Sequence, residues 1–133
     1  MNVASFLDSL DPEDRVNVEK YRTEILKIDT KVKEKVSKIM SIENALVYEQ
    51  DGVFKYGLAK TKHHFTFHSM VMYSNPDILD FVKQNMKGAK IQKGCVNFKS
   101  FSDFPIDLFR ELMGLSAEKD FTPVIEHYQK KKK

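Results

Sequence analysis

Cys95 is the only cysteine in the chain, and His63, His64 and His68 are three of its four histidines. A cysteine served by a histidine is the smallest nucleophilic pair, and clustered histidines are metal ligands. The spacing works against both roles. Cys95 stands between Gly94 and Val96 in a short apolar stretch, where a thiol usually packs as a small hydrophobe. On an extended strand, neighbouring His63 and His64 point to opposite faces. His64 and His68 would share a face but lie roughly 13 Å apart. One ion with bonds of about 2.1 Å cannot bridge that distance. The plain reading is hydrogen-bonded surface or pocket histidines, and a metal site would need ligands from another element.

Two charge clusters are the other candidates. Residues 1–29 hold seven acids against four bases, and the rest of the chain holds 12 acids and 18 bases. An all-oxygen patch built from Asp8, Asp11, Glu13 and Asp14 would suit iron, manganese or calcium better than zinc. The alternative is that these acids cap and solvate two helices. Lys83, Lys87, Lys90, Lys93 and Lys99 form a basic stretch able to hold a phosphate or carboxylate. It lacks the interleaved exposed aromatics of a single-strand nucleic-acid platform, so nucleic acid is the disfavoured partner. Part of the net charge of +3 comes from the terminal run Lys130 to Lys133, which reads as a frayed, solvated end.

Length and composition exclude several classes. A chain of 133 residues with 41% hydrophobic and 31% charged side chains is one globular domain's worth, long enough to bury a core without disulfide or metal staples. One cysteine excludes a disulfide framework. No apolar run reaches membrane-spanning length, and the N-terminus lacks the basic and apolar regions of a signal peptide, so the expected location is cytoplasmic. There is no glycine-rich phosphate loop, no G-x-S-x-G elbow and no H-E-x-x-H.

The elements that must position these residues follow from periodicity. A short helix is expected over 3–9. Asp11-Pro12-Glu13-Asp14 starts a helix over 12–28, with Val18, Tyr21, Ile25 and Ile28 on one face. Val32, Val36, Ile39 and Met40 predict a second helix over 31–42, capped by Thr30. The period then changes to two. Residues 45–50 and 53–60 form a hairpin about Asp51-Gly52, with Phe54, Tyr56 and Leu58 sharing a face. A third strand runs from His63 to Val71, with Phe65 and Phe67 on one face and Thr66 and His68 on the other. A helix restarts at Pro76 and is capped by Gly88. Short strands lie at 91–92 and 95–98 around Gly94, where a positive φ or a close backbone approach is expected. A helix after Phe104-Pro105 ends at Gly114, and a last one falls within 117–129. The fold class is α+β, a single domain with an antiparallel sheet packed against helices.

Three segments carry a family resemblance. The opening FLDSLDPEDRVNVEKYRTEILKI, the stretch KHHFTFHS and the closing KGCVNFKSFSDFPIDLFRELM resemble the YdhG-like domain family of unknown function, which includes a protein described as a frataxin-like iron chaperone. The match spans roughly residues 3–114 and is most specific at its end. It places the family's histidine on His64 and family positions on Lys93, Gly94, Val96, Phe98, Pro105, Asp107 and Leu108. The chain departs from the family where Met40-Ser41-Ile42-Glu43-Asn44-Ala45 replaces a Tyr-Gly-Met-Pro turn and His68-Ser69 replaces Tyr-Pro. The resemblance implies an α+β domain over 1–116 with a helical, basic extension over 117–133. Its implied role is non-enzymatic binding of a small ligand, a metal or a protein, with iron as the candidate metal, no membrane partner, and a homodimer left open. The expected pocket joins Tyr48, Tyr56, His64, His68 and Lys93. Iron delivery through Asp8, Asp11, Glu13 and Asp14 is one rival, and a small enzyme using Cys95 is another.

Overall fold

The computed structural model describes residues 1–131. Lys132 and Lys133, the end of the basic tail, lie outside the described residues. In chain order the elements are α1 (Val3–Asp8), α2 (Pro12–Ile28), β1 (Lys33–Ile39), β2 (Ile42–Gln50), β3 (Val53–Lys60), β4 (Phe65–Ser69), α3 (Met70–Ser74), α4 (Pro76–Asn85), β5 (Lys90–Ile91), β6 (Cys95–Phe98), α5 (Ile106–Glu118) and α6 (Thr122–Lys131), with a 3₁₀ turn at Phe101–Asp103. The six strands make one antiparallel sheet in the order β1-β2-β3-β4-β6-β5. The architecture is α+β. No helix among the described residues is long and apolar enough to cross a membrane.

One face of the sheet carries the main core. Leu46, Tyr48, Tyr56, Leu58, Phe65, Phe67, Val96 and Phe98 meet apolar side chains from all the larger helices. At its centre aromatic rings pack edge to face: Phe98 against Phe104 at 5.4 Å and 89°, Phe67 against Phe109 at 5.1 Å and 79°. This is the geometry that aromatic quadrupoles favour. Tyr21 on α2 joins them and donates its hydroxyl to the Phe104 carbonyl, while burial pushes its pKa up to about 12. The opposite face is lined by small residues, Ala45, Gly57 and Ala59, sealed by Ile39 and Phe54. A Cβ on Gly57 would sit 2.4 Å from Ile39 Cδ1 and 3.0 Å from Phe54 Cζ, so a larger residue would have to displace both side chains.

Several expectations are corrected. The segment expected as a helix over 31–42 is strand β1. Its Val32, Val36 and Ile39 fit either period, and pairing decides: Lys33 lies opposite Glu49, Val36 opposite Leu46. Tertiary pairing overrides a marginal helical stripe of β-branched residues. Met40, at φ 53, sits in the tight turn that returns the chain into β2. Phe54 does not share a face with Tyr56 and Leu58. Tyr48 faces Tyr56 and Glu49 faces Phe54, which leaves Lys55 without a partner across the strand. That one-residue bulge resets the alternation, so Phe54 turns outward and Lys55 inward. The third strand begins at Phe65 rather than His63 and stops at Ser69, whose hydroxyl accepts from Met72 N–H and caps α3. Gly88 lies beyond the Met86 cap of α4, and α5 runs through Gly114 to Glu118. Gly94 has no positive φ; its backbone is approached by Tyr73, whose Cδ2 a Cβ would meet at 3.3 Å. The chain beyond 116 completes the core through buried Phe121 and Ile125.

The inward turn of Lys55 creates the main polar feature of the interior. Lys55 and Asp29 are each 1% exposed in the side chain and pair at 2.7 Å. Lys55 Nζ also donates to Gln50 Oε1 at 2.7 Å and lies 5.1 Å from the Phe121 ring. The Tyr56 hydroxyl donates to Asp29 Oδ2 at 2.9 Å. Burial first, then the Asp29 charge, push the Tyr56 pKa up. A buried pair with every polar group satisfied is tolerated, but removing one partner strands a charge. Asp29→Ala is therefore expected to cost about 3–5 kcal/mol, and Tyr56→Phe about 1 kcal/mol, both read from urea midpoints. Equal midpoints for Asp29→Ala and the wild type would contradict this account.

Candidate functional site

The expected pocket of Tyr48, Tyr56, His64, His68 and Lys93 does not assemble. Tyr48 and Tyr56 are fully buried on the helix-covered face. Tyr48 donates to Glu34 at 2.8 Å, and Glu34 in turn holds Arg22 of α2 through two contacts of 2.8 Å. Burial and the Glu34 charge raise the Tyr48 pKa well above its usual range. These two tyrosines anchor α2 and the segment after it to the sheet.

His68 lies on the other face, in β4, directly across from Cys95 of β6. Burial lowers the His68 pKa, so the ring is neutral at pH 7. Burial likewise raises the Cys95 pKa, opposed by a contact from Asn97, and the thiol donates to Gln92 Oε1 at 2.9 Å. A protonated thiol facing a neutral imidazole lacks the thiolate character that nucleophilic cysteines need. Lys93 lies over the Tyr73 ring at 4.7 Å.

The acidic candidates are tied to bases. Asp8 pairs with Arg15, and Asp14 and Asp11 pair with Lys60 at the end of β3. Glu13 is exposed on the first turn of α2. Among the described residues, no group of three or more His, Cys, Asp or Glu side chains is placed to hold a metal ion.

His64 belongs to a different place. The turn from β3 to β4 is closed by Thr61, whose N–H and hydroxyl both donate to the His64 carbonyl, at 2.7 and 2.9 Å. This fixes His63 and His64 at the rim of a groove of about 410 Å³, whose other walls are Lys90 of β5, Asn97 of β6 and Lys99 just beyond it. Phe98 and Gly88 complete the lining. At Gly88 a Cβ would lie 2.7 Å from Asp103 Oδ1, so a larger residue there would have to displace the Asp103 carboxylate. The side chains of His63, His64, Lys90 and Lys99 have no hydrogen-bond or ion-pair partner among the described residues, whereas Lys35, Lys55, Lys60 and Lys119 each hold a carboxylate.

The surroundings reinforce this contrast. Between Asp51 and Asp103 the only acids are Asp77 and Asp80, against eight lysines and three histidines, and Asp77 is taken by Lys119 at 2.6 Å. Strands β3 to β6 thus form an almost acid-free half of the sheet. The larger depression between α2 and α5, about 560 Å³, differs in kind: its Arg110 and Glu24 pair at 3.0 Å and its lining mixes both signs. The basic stretch singled out by the sequence supplies Lys90 and Lys99 to the groove. The interval without acids was the further signal, because it marks His63 and His64 as neighbours of those lysines. Asn97 gave no sequence signal. The chain matches no protein-family model, no curated protein and no solved structure.

His68 also gives a pH prediction. Its folded-state pKa lies below the unfolded value of 6.5, so the unfolded chain binds the proton more tightly. Stability is then fully present above pH 6.5 and falls as the pH drops below it. The loss levels off once the folded pKa is passed. Urea midpoints between about pH 8 and about pH 5, which bracket an ordinary histidine, should show this decline in the wild type and a shallower one in His68→Gln. Identical slopes would contradict the assignment.

Proposed function

We propose that this chain is a YdhG-like α+β binding domain whose ligand is a small anion seated in the His63–His64–Lys90–Lys99 groove. The observation that carries the reading is the convergence of His63, His64, Lys90 and Lys99, none with a side-chain partner among the described residues, around one depression. Two lysines attract an anion, against the one carboxylate of Asp103 behind Gly88 at the rim, and imidazole N–H groups and the Asn97 carboxamide add directional donors. The reading is non-enzymatic: the lining side chains serve to bind and orient, and Cys95, the chain's one thiol, lies outside them. The site is open and exposed, so binding is weak and salt-sensitive.

Iron delivery remains the implication of the family resemblance alone. Three of its four expected ligands, Asp8, Asp11 and Asp14, are engaged by Arg15 and Lys60, and this favours the anion reading.

Calorimetric titration with inorganic phosphate at low ionic strength tests the proposal. Saturable binding is expected that weakens with added salt and is lost in Lys90→Gln/Lys99→Gln. Binding that persists unchanged in the double variant, or anaerobic ferrous binding abolished by replacing Asp8, Asp11, Glu13 and Asp14 with amides, would transfer the function elsewhere.

A further inference from the structure

Thr66 is 2% exposed, and its Oγ1 is the only buried side-chain nitrogen or oxygen without a hydrogen-bond partner among the described residues. A buried hydroxyl normally finds a partner, because leaving it unpaired forfeits its hydration. Its place in the sheet is informative. Thr66 of β4 lies directly across from Asn97 of β6, and Asn97 lies directly across from Lys90 of β5. The three form one row across the strands on the face away from the helices, and the outer two members of that row, Asn97 and Lys90, line the basic groove. The ladder fixes how closely the first two meet. Ser69 N–H bonds to the Gly94 carbonyl at 3.0 Å, so Ser69 and Gly94 form a hydrogen-bonded pair. Alternation then makes His68–Cys95 and Phe67–Val96 the next two, and the step parity returns Thr66–Asn97 to the class of His68–Cys95, the pairs whose side chains approach most closely.

Resting on the anion reading of this groove, we infer that its ligand is a phosphate monoester, with Thr66 and Asn97 as the hydrogen-bonding end of the site and Lys90 and Lys99 as its charged end. A monoester presents up to two negative charges and three free oxygens. The two lysines balance the charge. The histidine rings, the Asn97 carboxamide and the Thr66 hydroxyl supply one more donor set than a carboxylate, with one charge and two oxygens, or a diester, with one charge and two free oxygens, can use. Thr66 lies behind Asn97 rather than in the lining itself, so the acceptor it lacks is supplied through one held water when Asn97 turns to the ligand. Gly88 keeps the rim open where any side chain would press on Asp103.

The test compares methyl phosphate, dimethyl phosphate and acetate by calorimetry on the wild type, Thr66→Val and Lys90→Gln. Thr66→Val keeps the shape of the side chain and removes only the hydroxyl. A purely structural hydroxyl left unpaired costs stability, so its removal is expected to leave the urea midpoint equal or higher. The wild type should prefer methyl phosphate to both other probes, and Thr66→Val should lose about tenfold in methyl phosphate affinity, the worth of one charge-assisted hydrogen bond, with little change for acetate. Equal affinity of the wild type for the three probes overturns the monoester assignment. Unchanged methyl phosphate binding in Thr66→Val, with weakened binding in Lys90→Gln, overturns the role of Thr66 while the anion groove stands. No saturable binding of any probe overturns the groove itself.

Discussion

The interaction on which the rest of the structure depends is the buried contact between Asp29 and Lys55. Asp29 ends α2, and Lys55 is the residue of β3 skipped at the bulge between the Phe54 and Tyr56 pairs with β2. The pair therefore ties the longest helix to the middle of the sheet at the place where the sheet's alternation is reset. An ion pair of this kind gains little net free energy over a hydrophobic pair of equal volume. Its consequence is positional: the bulge at residue 55 turns Lys55 inward to Asp29. With the bulge there, Phe54 goes to the outer face to cover Gly57, and Tyr56 goes inward to share Asp29.

The same contact divides the molecule's charges. Lys55 and Lys60, both on β3, are consumed by acids from the α2 region, as Arg22 is by Glu34 of β1. Acids and bases are thus matched where α2 meets β1, β2 and β3. Beyond β3 the sheet continues through β4, β6 and β5 with lysines and histidines and almost no acids. The core beneath that half is aromatic, with Phe65, Phe67, Phe98, Phe104 and Phe109 in mutual contact. It gives the strands a rigid backing, while the turn at Thr61–His64 and the β5 edge bring unmatched cations to one groove.

Much of this was legible from residue spacing. The α2 helix shows its Asp-Pro start and its Val18, Tyr21, Ile25 stripe, and the Asp51-Gly52 hairpin is a local signal with a defined conformation, φ 52 and φ 80. What could not be read locally was decided by distant partners. The segment that became β1 carries a pattern compatible with either a helix or a strand, and only the free edge of β2 selects the strand. The bulge at Lys55 leaves no mark in a two-residue period, and the partner it meets, Asp29, is distant in sequence. The candidate site failed for the same reason: Tyr48 and Tyr56 look like polar members of a wet face until the bulge and the face assignment turn them inward. His64 and the lysine stretch were visible, but their meeting across β4, β6 and β5 is a property of strand order.

The central claim is that unmatched positive charge beside the Thr61–His64 turn binds an anion. Histidine-ring carbon–proton correlation spectra recorded during a titration with inorganic phosphate test it most directly, because the four histidines serve as separate reporters. His63 and His64 line the groove, while His127 lies on α6 beside Tyr128, a helix whose Gln129 reaches the Asp51 carbonyl at the opposite end of β3. The account predicts saturable shifts of the His63 and His64 rings with His127 unmoved. Equal movement of all the rings, or none at any phosphate concentration, would contradict it.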